Sequence, residues 1–475
     1  MKSILGNVSS VVLLTCLALG GCVSTPSTTP SEVPLKGETL GLGTLPAPVV
    51  ADTWWTAFGD PQLNELVDQA LKGNPSLAAA FARVRAAQSQ LSAARAATYP
   101  QITYDGQDVR QRFSKDYIIP PPYGGTWRWF GTQGANLTWS LDFFGKLDAQ
   151  VGRARAGAHA AELDATAARL LLAGSITKTY IGLWRTELLV DVAADTVKQR
   201  EGIFSLTQGR VKAGLDNPAS EKQAAALLAL AREDLTQAKA VRELAVHQIA
   251  ALTGRGADAY DIKRPRLNTA ALTLPANLPV DLLARRADIA AAQARIEAAF
   301  QGREVTRKAY YPDINLLALA TTAAIGFNNL FSLSSAQYGA GAAIHLPIFD
   351  AGELDANLAG ATAGLDEAVA DYNATVVSAV KDTADALTTL RSLESQAADQ
   401  RVALADAQES FDLARERYRS GLSPQQTALD TESLLLQARQ QDAALAADTI
   451  SARVTLLMAI GGGFKPDTSA GQDHE

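Results

Sequence analysis

Two long stretches without proline limit most strongly how this chain can fold. No proline occurs between Pro122 and Pro218, or between Pro347 and Pro424. Proline ends helices, and these stretches are rich in alanine, leucine, glutamine, arginine and glutamate, which favour them. The first stretch predicts one helix of roughly 70 residues over about 145–213, on the order of 100 Å long. Such helices must pack against other helices to bury their apolar stripes, so we expect a mainly α fold.

The chain contains two copies of one unit. A segment at 83–102 recurs at 295–314, offset by 212 residues, and both copies contain a Tyr-Pro pair. From Gly145 onward the offset is a constant 207, which aligns Gly214 with Gly421. A long register without gaps, with matching glycines and prolines, indicates duplication. We predict a first repeat at 52–262, a second repeat at 263–462 and a disordered tail at 463–475.

Each repeat contains two segments that alternate between apolar and polar residues. The segment Asn136–Phe143 places Leu137, Trp139, Leu141 and Phe143 on one face. Runs with a period of two suit strands with unlike faces. The Tyr-Pro pairs end the helices before them, which we predict at about 74–98 and 279–309, since proline cannot continue a helix. We predict four strands, at about 100–113, 133–144, 312–324 and 337–349.

The long helices carry a heptad-like pattern. Apolar residues step by three and four along one helix of the second repeat, at Leu404, Ala407, Phe411, Ala414 and Tyr418. Others step by seven along the next helix, at Leu429, Leu436, Ala443, Ile450 and Leu457. This spacing is typical of coiled coils, so we expect long helical hairpins whose seams are kept narrow by alanine.

The N-terminus is typical of a bacterial secretory signal. One lysine, a short apolar core and small residues precede Cys22, and the core is too short for a spanning helix. The run Leu19-Gly-Gly-Cys22 resembles the lipobox of bacterial lipoproteins, in which the cysteine becomes the lipidated first residue. An ordinary signal peptide with a chance cysteine is the alternative. We predict a signal peptide at 1–21 and a lipidated tether rich in proline, serine and threonine at 22–51.

Both repeats place the same Gly-Leu turn between two long helices. Gly214 and Gly421 suit the left-handed position that ends a helix, and we expect Ser423 to cap the helix that follows the second turn. Plain hairpin turns explain the glycines but not the leucines beside them, Leu215 and Leu422. We therefore predict that these turns dock on a partner protein.

A four-stranded sheet with one apolar face cannot sit alone in a bilayer. Its open edges would leave backbone groups unpaired in hydrocarbon, at several kcal/mol each. Several chains must then contribute to one barrel, with an interfacial girdle of Trp127, Trp129, Trp139, Tyr104 and Tyr338. The alternative is a soluble β-sandwich beside a coiled coil.

Composition excludes several classes of function. The net charge of −7 argues against a broad nucleic-acid surface. The four histidines lack the spacing of metal ligands, and Cys22 is the single cysteine left after processing. The sequence shows no phosphate loop and no nucleophile motif. We predict no enzyme activity, no catalytic residue, no metal and no cofactor.

Two segments carry a family resemblance. The segment Trp54–Leu77 resembles the opening of outer-membrane efflux lipoproteins, the NodT-type branch of the TolC-like channels. The segment Leu278–Ile289 is similar to the start of that branch's second repeat, with Ala287 where the family usually has proline. The resemblance spans about residues 52–462.

The resemblance implies a homotrimer in the outer membrane. Each chain would give four strands to a twelve-stranded β-barrel and long helices to a periplasmic α-barrel. The resemblance also implies export of drugs or other small molecules, driven by an inner-membrane RND pump and bridged by a periplasmic membrane-fusion adaptor. The substrate itself is not readable from the sequence.

The resemblance also implies a gate at the periplasmic end of the helices. Tyr418 and Asp430 lie where relatives make the contacts that close this end, and Ser423 and Thr427 lie where relatives can carry charged partners. In a trimer, three copies of Asp430 would surround one axis and attract cations. A solvated aspartate on a helix face is the alternative. For adaptor docking, the matching residues are Gly214, Leu215, Gly421 and Leu422.

Other functions remain open at this point. One is the outer-membrane duct of a type I protein secretion system or of a polysaccharide export system. Another, from a different class, is a periplasmic coiled-coil scaffold without a pore. The lipobox and the NodT-like opening favour small-molecule efflux.

Overall fold

The computed structural model describes residues 28–37, 40–42, 50–116, 118–256, 261–268 and 281–465. The predicted signal peptide, Cys22, much of the tether and most of the predicted tail lie outside these ranges. The chain divides into two compact units. Among the described residues, one unit contains Val84–Ala161, Ala292–Tyr372 and the segment 28–34, and the other contains the described parts of Leu35–Arg83, Glu162–Ala291 and 373–465. Each unit draws on both predicted repeats, so compact units and sequence repeats do not coincide.

Seven α-helices lie in the described ranges. They are α1 (Pro61–Gly73), α2 (Pro75–Ala96), α3 (Lys146–Lys212), α4 (Pro218–Leu252), α5 (Ala287–Lys308), α6 (Glu353–Arg419) and α7 (Gln425–Ala459). Helix α3 and helix α6 each have 67 residues, close to the expected length. No described helix combines the length and apolar character needed to cross a membrane.

The helix boundaries repeat along the chain. Each end of α6 and α7 lies 207 residues after the matching end of α3 and α4. Each end of α5 lies 212 residues after the matching end of α2. Helix α5 begins at Ala287, later than the start near residue 279 that the sequence suggested. The offsets found in the sequence are therefore also the offsets of the folded helices.

The strands form one antiparallel sheet. They are β1 (Gln101–Arg112), β2 (Trp127–Ser140), β3 (Asp313–Ile325) and β4 (Ala336–His345), in the order β1-β2-β3-β4. Strand β2 starts earlier and stops earlier than the predicted 133–144. Its aromatic start pairs with the end of β1, down to Trp127 opposite Arg112. Within the described chain, β1 and β4 each pair along one edge only.

Two side-chain and backbone features set where the strands end. After β2 the backbone of Asp142 is left-handed (φ 39°), and its carboxylate accepts from the amides of Leu147 and Asp148 at 3.0 and 2.9 Å, which starts α3. Leu141 and Phe143 are therefore outside the strand. Strand β4 ends at His345 rather than near 349, because Pro347 has no N–H for the ladder.

The pairing register sorts the strand residues onto two faces, because residues directly opposite each other share a face. The apolar face consists of Ile102, Tyr104, Gly106, Asp108, Arg110, Arg112, Trp127, Trp129, Gly131, Gln133, Ala135, Leu137, Trp139, Ile314, Leu316, Ala318, Ala320, Thr322, Ala324, Ala336, Tyr338, Ala340, Ala342 and Ile344. The other face carries Thr103, Asp105, Gln107, Thr132, Asn136 and Thr321 among its members. All five predicted girdle aromatics lie on the apolar face.

One glycine makes the sheet pairing possible. Gly134 has φ 158°, and a Cβ there would lie 2.4 Å from the carbonyl oxygen of Ala320 on β3. A larger residue would push β2 and β3 apart at this point. The glycine therefore fits a close approach of backbones rather than a turn.

The unit that contains α1 has a core built from both repeats. Its buried members include Trp54, Phe58, Ile176, Ile249 and Val454. A buried polar cluster borders this core. The hydroxyl of Tyr180 donates to Asp60 at 2.7 Å and accepts from Gln62 at 2.8 Å. Burial, with the hydrogen bond to Asp60, raises the pKa of Tyr180, so its hydroxyl remains a donor at neutral pH.

The heptad prediction is confirmed. Ala407, Phe411, Ala414 and Tyr418 are buried on α6, as are Leu429, Ala443, Ile450 and Leu457 on α7. Leu404 and Leu436 are partly buried. Ile203 of α3 packs in the same cluster as Phe411 and Leu429. The seam therefore joins helices of both repeats, as long hairpins require to bury their apolar stripes.

Candidate functional site

The candidate site lies where the long helices turn, at residues 207–221 and 414–432, which we call the hairpin tips. Gly214 and Gly421 are left-handed, with φ 72° and 76°. The amide of Leu215 donates to Arg210 O at 2.9 Å, and the amide of Leu422 donates to Arg417 O at 2.8 Å. These are the six-to-one bonds of a Schellman motif. The two tips thus end their helices in the same way, as predicted.

The two tips start the next helix differently. Asn217 caps α4, and its side chain accepts from the amide of Ser220 at 2.9 Å. The expectation that Ser423 caps the matching helix is wrong, because the residue at the cap position is Pro424 and α7 begins at Gln425. The hydroxyl of Ser423 is buried and makes no hydrogen bond within the described chain.

Tyr418 lies at the centre of a polar network between the tips. Its side chain is 1% exposed, and its hydroxyl donates to Asp216 Oδ2 at 2.9 Å. Arg210 Nε donates to the same oxygen at 2.7 Å, and the Arg210 guanidinium lies 4.9 Å from the centre of the Tyr418 ring. Burial raises the pKa of Tyr418, which keeps the hydroxyl a donor. The hydrogen bond to Asp216 raises the pKa of Arg210.

Two buried polar side chains extend this network. The hydroxyl of Thr207 lies 3.0 Å from the Tyr418 hydroxyl, and Gln425 Nε2 donates to Thr207 Oγ1 at 3.1 Å. Because Gln425 donates to Thr207 and Tyr418 donates to Asp216, Thr207 donates to Tyr418. We call Thr207, Arg210, Asp216, Tyr418 and Gln425 the tip network. It joins α3 and the first turn to α6 and α7.

A buried ion pair lies further along the same helices. Arg200 Nε of α3 is 3.0 Å from Glu432 Oε2 of α7, and their side chains are 8% and 0% exposed. Neither carboxylate oxygen makes a well-directed hydrogen bond within the described residues. Burial raises the pKa of Glu432 to about 6, although the positive charge of Arg200 opposes this. Charge attraction between Arg200 and Glu432 is therefore the main interaction of the pair, and the surrounding protein excludes most water from it.

Two of the other predicted gate residues, Thr427 and Asp430, face solvent. Asp430 is exposed and accepts from Gln426 Nε2 at 2.7 Å, while Thr427 is exposed on the same helix. Of the four predicted gate residues, the structure brings Tyr418 alone into the tip network. Leu215 and Leu422 are 65% and 71% exposed. In the single chain both leucines are therefore accessible to a partner protein, as the docking prediction requires.

Sequence reasoning missed most of the tip network and the ion pair, although the repeat offers a signal for them. At the offset of 207, Thr207 matches Ala414 and Arg200 matches Ala407. Both alanines belong to the predicted seam. Where one repeat has an apolar seam residue and the other has a polar residue at the matching position, the polar side chain is expected to make a buried polar contact. Aligning the two repeats would therefore have found both Thr207 and Arg200.

No described group of histidine, cysteine, aspartate or glutamate side chains is arranged to hold a metal ion. The polar side chains of the tip network bond to one another. The bonds of Thr207 join α3 to α6 and α7, and the bond from Tyr418 to Asp216 joins α6 to the first turn.

Comparison with known proteins places the chain in a family. It matches the outer membrane efflux protein family over residues 66–255 and 278–462. The fusaric acid resistance protein FusA of Burkholderia cepacia is 34% identical over 373 residues, which cover 76% of this chain and 70% of FusA. The putative multidrug resistance outer membrane protein MdtQ of Escherichia coli K12 is 31% identical over 424 residues, 87% of this chain and 88% of MdtQ.

Solved structures agree with this assignment. The outer membrane protein VceC of Vibrio cholerae has a TM-score of 0.81 and 32% identity, covering 88% of this chain and 100% of VceC. The outer-membrane channel OprN has a TM-score of 0.81 and 25% identity, covering 94% of this chain. The paired offsets of the helices, the four-stranded sheet and these matches lead to one conclusion: the chain belongs to the outer membrane efflux protein family.

Proposed function

We propose that this chain is one third of a trimeric channel that passes small molecules across the outer membrane as the outer component of a tripartite efflux system. The observation that carries the proposal is the sheet, which has one apolar face and, within the described chain, two edge strands paired on one side only. Unpaired edges in hydrocarbon cost several kcal/mol per backbone group. Three copies that join β4 to β1 of the next chain would close twelve strands and remove every edge.

The two faces of the sheet suit such a barrel. The apolar face would meet lipid, with Tyr104 and Tyr338 69% and 88% exposed in the single chain. Side chains on the other face, such as Asp105, Gln107 and Asn136, would line a wet channel. Alternation of lipid-facing and lumen-facing residues is the pattern of outer-membrane barrels. Lipidation at Cys22 remains part of the proposal and would add an anchor to the same membrane.

The names of relatives support small molecules as cargo. FusA is named for fusaric acid resistance, MdtQ for multidrug resistance and OpmQ of Pseudomonas aeruginosa for pyoverdine export. We extend this class, small organic molecules, to the present chain. Energy would come from an inner-membrane RND pump, linked by a periplasmic adaptor, because a passive conduit has no energy source of its own.

The gate proposal combines Tyr418 of the tip network with the predicted ring of three Asp430 carboxylates. The tip network would hold the helices of each chain in the closed position, with Ser423 and Thr427 beside it. Three exposed Asp430 carboxylates would surround the axis of the trimer and concentrate cations at the constriction.

Conductance measurements in planar lipid bilayers test both the channel and the ring of Asp430 carboxylates. The purified protein is expected to migrate as a heat-resistant trimer and to give single-channel currents that favour cations. Asp430→Ala is expected to lower the cation preference several-fold, because three charges leave one constriction. Asp442→Ala, a change of equal charge further along α7, is the control. Absence of any current from a trimer would reject the channel, whereas unchanged selectivity in Asp430→Ala would reject only the ring.

Exposed leucines at the tips give a separate prediction about the adaptor. Burying one leucine contributes about 1.5–3 kcal/mol, so Leu215→Ser with Leu422→Ser is expected to weaken adaptor binding at least about tenfold. Conductance of the purified trimer should not change. Leu244→Ser, at a residue 64% exposed far from the turns, is the control. Equal adaptor binding by the tip variant and the wild type, measured by biolayer interferometry, would place docking elsewhere.

A further inference from the structure

The apolar face of the sheet carries charged side chains at one end only. Of its residues, Asp108, Arg110 and Arg112 are charged, and all three lie in the last part of β1. This end of the sheet leads into the β1–β2 loop. The opposite end connects to helices α2 and α3. With the long helices on the periplasmic side, as the family resemblance implies, the charged end lies at the outer leaflet.

Two tryptophans lie directly beside the two arginines. Arg110 is opposite Trp129 and Arg112 is opposite Trp127 in the β1–β2 ladder. Side chains at opposite positions have Cβ atoms about 4.5–5.5 Å apart. The tryptophans are 47% and 62% exposed. We call Arg110, Arg112, Trp127 and Trp129 the basic aromatic patch.

No residue that the structure describes neutralises the positive charge of the basic aromatic patch. Both arginines are exposed, and neither forms an ion pair with any residue that the structure describes. The nearest charged residue on this face is Asp108, and its Oδ1 is buried. This oxygen and Leu330 both lie beside the position that a Cβ on Gly131 would occupy. Charged side chains that face lipid are costly without a partner, so the patch calls for an anion from outside the chain.

We propose that the basic aromatic patch binds the phosphate group of a phosphorylated lipid in the outer leaflet. Guanidinium groups bind phosphate through paired hydrogen bonds. Tryptophan rings prefer the depth of the headgroups, where one side is apolar and the other wet. The acyl chains of the same lipid would lie along the alanines and leucines of the apolar face. This inference rests on the proposed function, because that function sets the face against lipid.

Native mass spectrometry of the full-length trimer in detergent tests the proposal. The probes are diphosphoryl lipid A, phosphatidylcholine and inorganic phosphate. The wild type is expected to retain lipid A in preference to phosphatidylcholine. Arg110→Gln with Arg112→Gln is expected to bind lipid A about 30-fold more weakly, since each surface arginine contributes roughly fivefold to the binding of an anionic lipid. Inorganic phosphate should not compete at millimolar concentration if the acyl chains contribute to binding.

The control is an arginine at the same height on the other face. Arg128 lies opposite Gln111 and over the ring of Tyr123, so Arg128→Gln should bind lipid A as the wild type does. Equal losses in both variants, or equal retention of phosphatidylcholine and lipid A by the wild type, would overturn the proposal. Competition by inorganic phosphate would instead show a bare anion site and would also overturn the assignment to lipid. Conductance in phosphatidylcholine bilayers tests the proposed function separately.

Discussion

Asp216→Ala is expected to shift the channel strongly toward its open state. Asp216 accepts hydrogen bonds from both Tyr418 and Arg210, at 2.9 and 2.7 Å, so its loss frees Tyr418 of α6 from the first turn and leaves Arg210 without this bond. Hydrogen bonds to charged groups contribute about 1.5–3 kcal/mol each. Of the two bonds, the one from Tyr418 crosses from α6 to the first turn, so its loss should raise the ratio of open to closed channels about 10- to 150-fold. Single-channel open probability in planar bilayers measures this ratio.

Two further variants make the gate test specific. Tyr418→Phe keeps the ring but removes the hydroxyl, so it should open the channel less than Asp216→Ala does. The double variant should add little to Asp216→Ala, because both changes remove the same bond. Glu416→Ala removes an exposed carboxylate two residues from Tyr418 and should leave the open probability unchanged. Equal behaviour of Asp216→Ala and Glu416→Ala would show that the tip network does not hold the gate.

Arg200→Ala is expected to cost about 3–5 kcal/mol of stability in the helices that carry the ion pair. The change leaves the fully buried carboxylate of Glu432 without its counter-charge. Hydrogen exchange is the suitable measurement, because it reports local opening; amides near Arg200 and Glu432 should lose protection. Arg200→Met with Glu432→Leu should recover most of it, since an apolar pair avoids the cost of burying charge.

A surface ion pair provides the control for this test. Arg232 is 2.9 Å from Glu201, with side chains 61% and 50% exposed. Exposed pairs contribute about 0–1 kcal/mol, so Arg232→Ala should change protection little. If Arg200→Ala and Arg232→Ala had the same small effect, the pair at Arg200 would be hydrated in solution rather than buried.

The same ion pair predicts a dependence on pH. The pKa of Glu432 in the folded chain is about 6, above its ordinary value of 4.5. The folded state therefore binds this proton more tightly than the unfolded state does. Its contribution to stability is fully present below about pH 4.5 and is lost as the pH rises through 6. Glu432→Gln should remove this part of the pH dependence, as measured by hydrogen exchange between pH 5 and 7.

The helices were the most predictable part of the fold. Prolines and glycines set helix ends through local backbone chemistry, and the duplication presents the boundaries of six of the seven described helices twice. The strand boundaries were less predictable. Strand β2 ends where Asp142 turns the backbone to cap α3, and an alternating sequence does not show where such a turn begins. The start of β2 depends on pairing with β1, which is a long-range choice.

In the candidate site, too, the local features were predictable from the sequence and the long-range contacts were not. The glycines and leucines of the tips were predictable, because a hairpin turn is formed by residues adjacent in the chain. Tyr418 was named from the family resemblance, but its partners Thr207 and Asp216 were not. They lie about two hundred residues away in sequence, and comparison of the two repeats marks Thr207 as a polar residue in the seam without showing which side chain it meets.

The sequence by itself determined the duplication, the helix lengths, the two turns and the heptad seam, because each depends on propensity, proline and glycine within a few residues. The tertiary structure alone decided which strand residues share the face with Arg110 and Arg112, and which buried groups form the tip network and the Arg200–Glu432 pair. The physical reason is that register and burial are properties of packed elements. A shift of one residue in a strand exchanges its faces, and burial turns an ordinary arginine and glutamate into a costly charge pair.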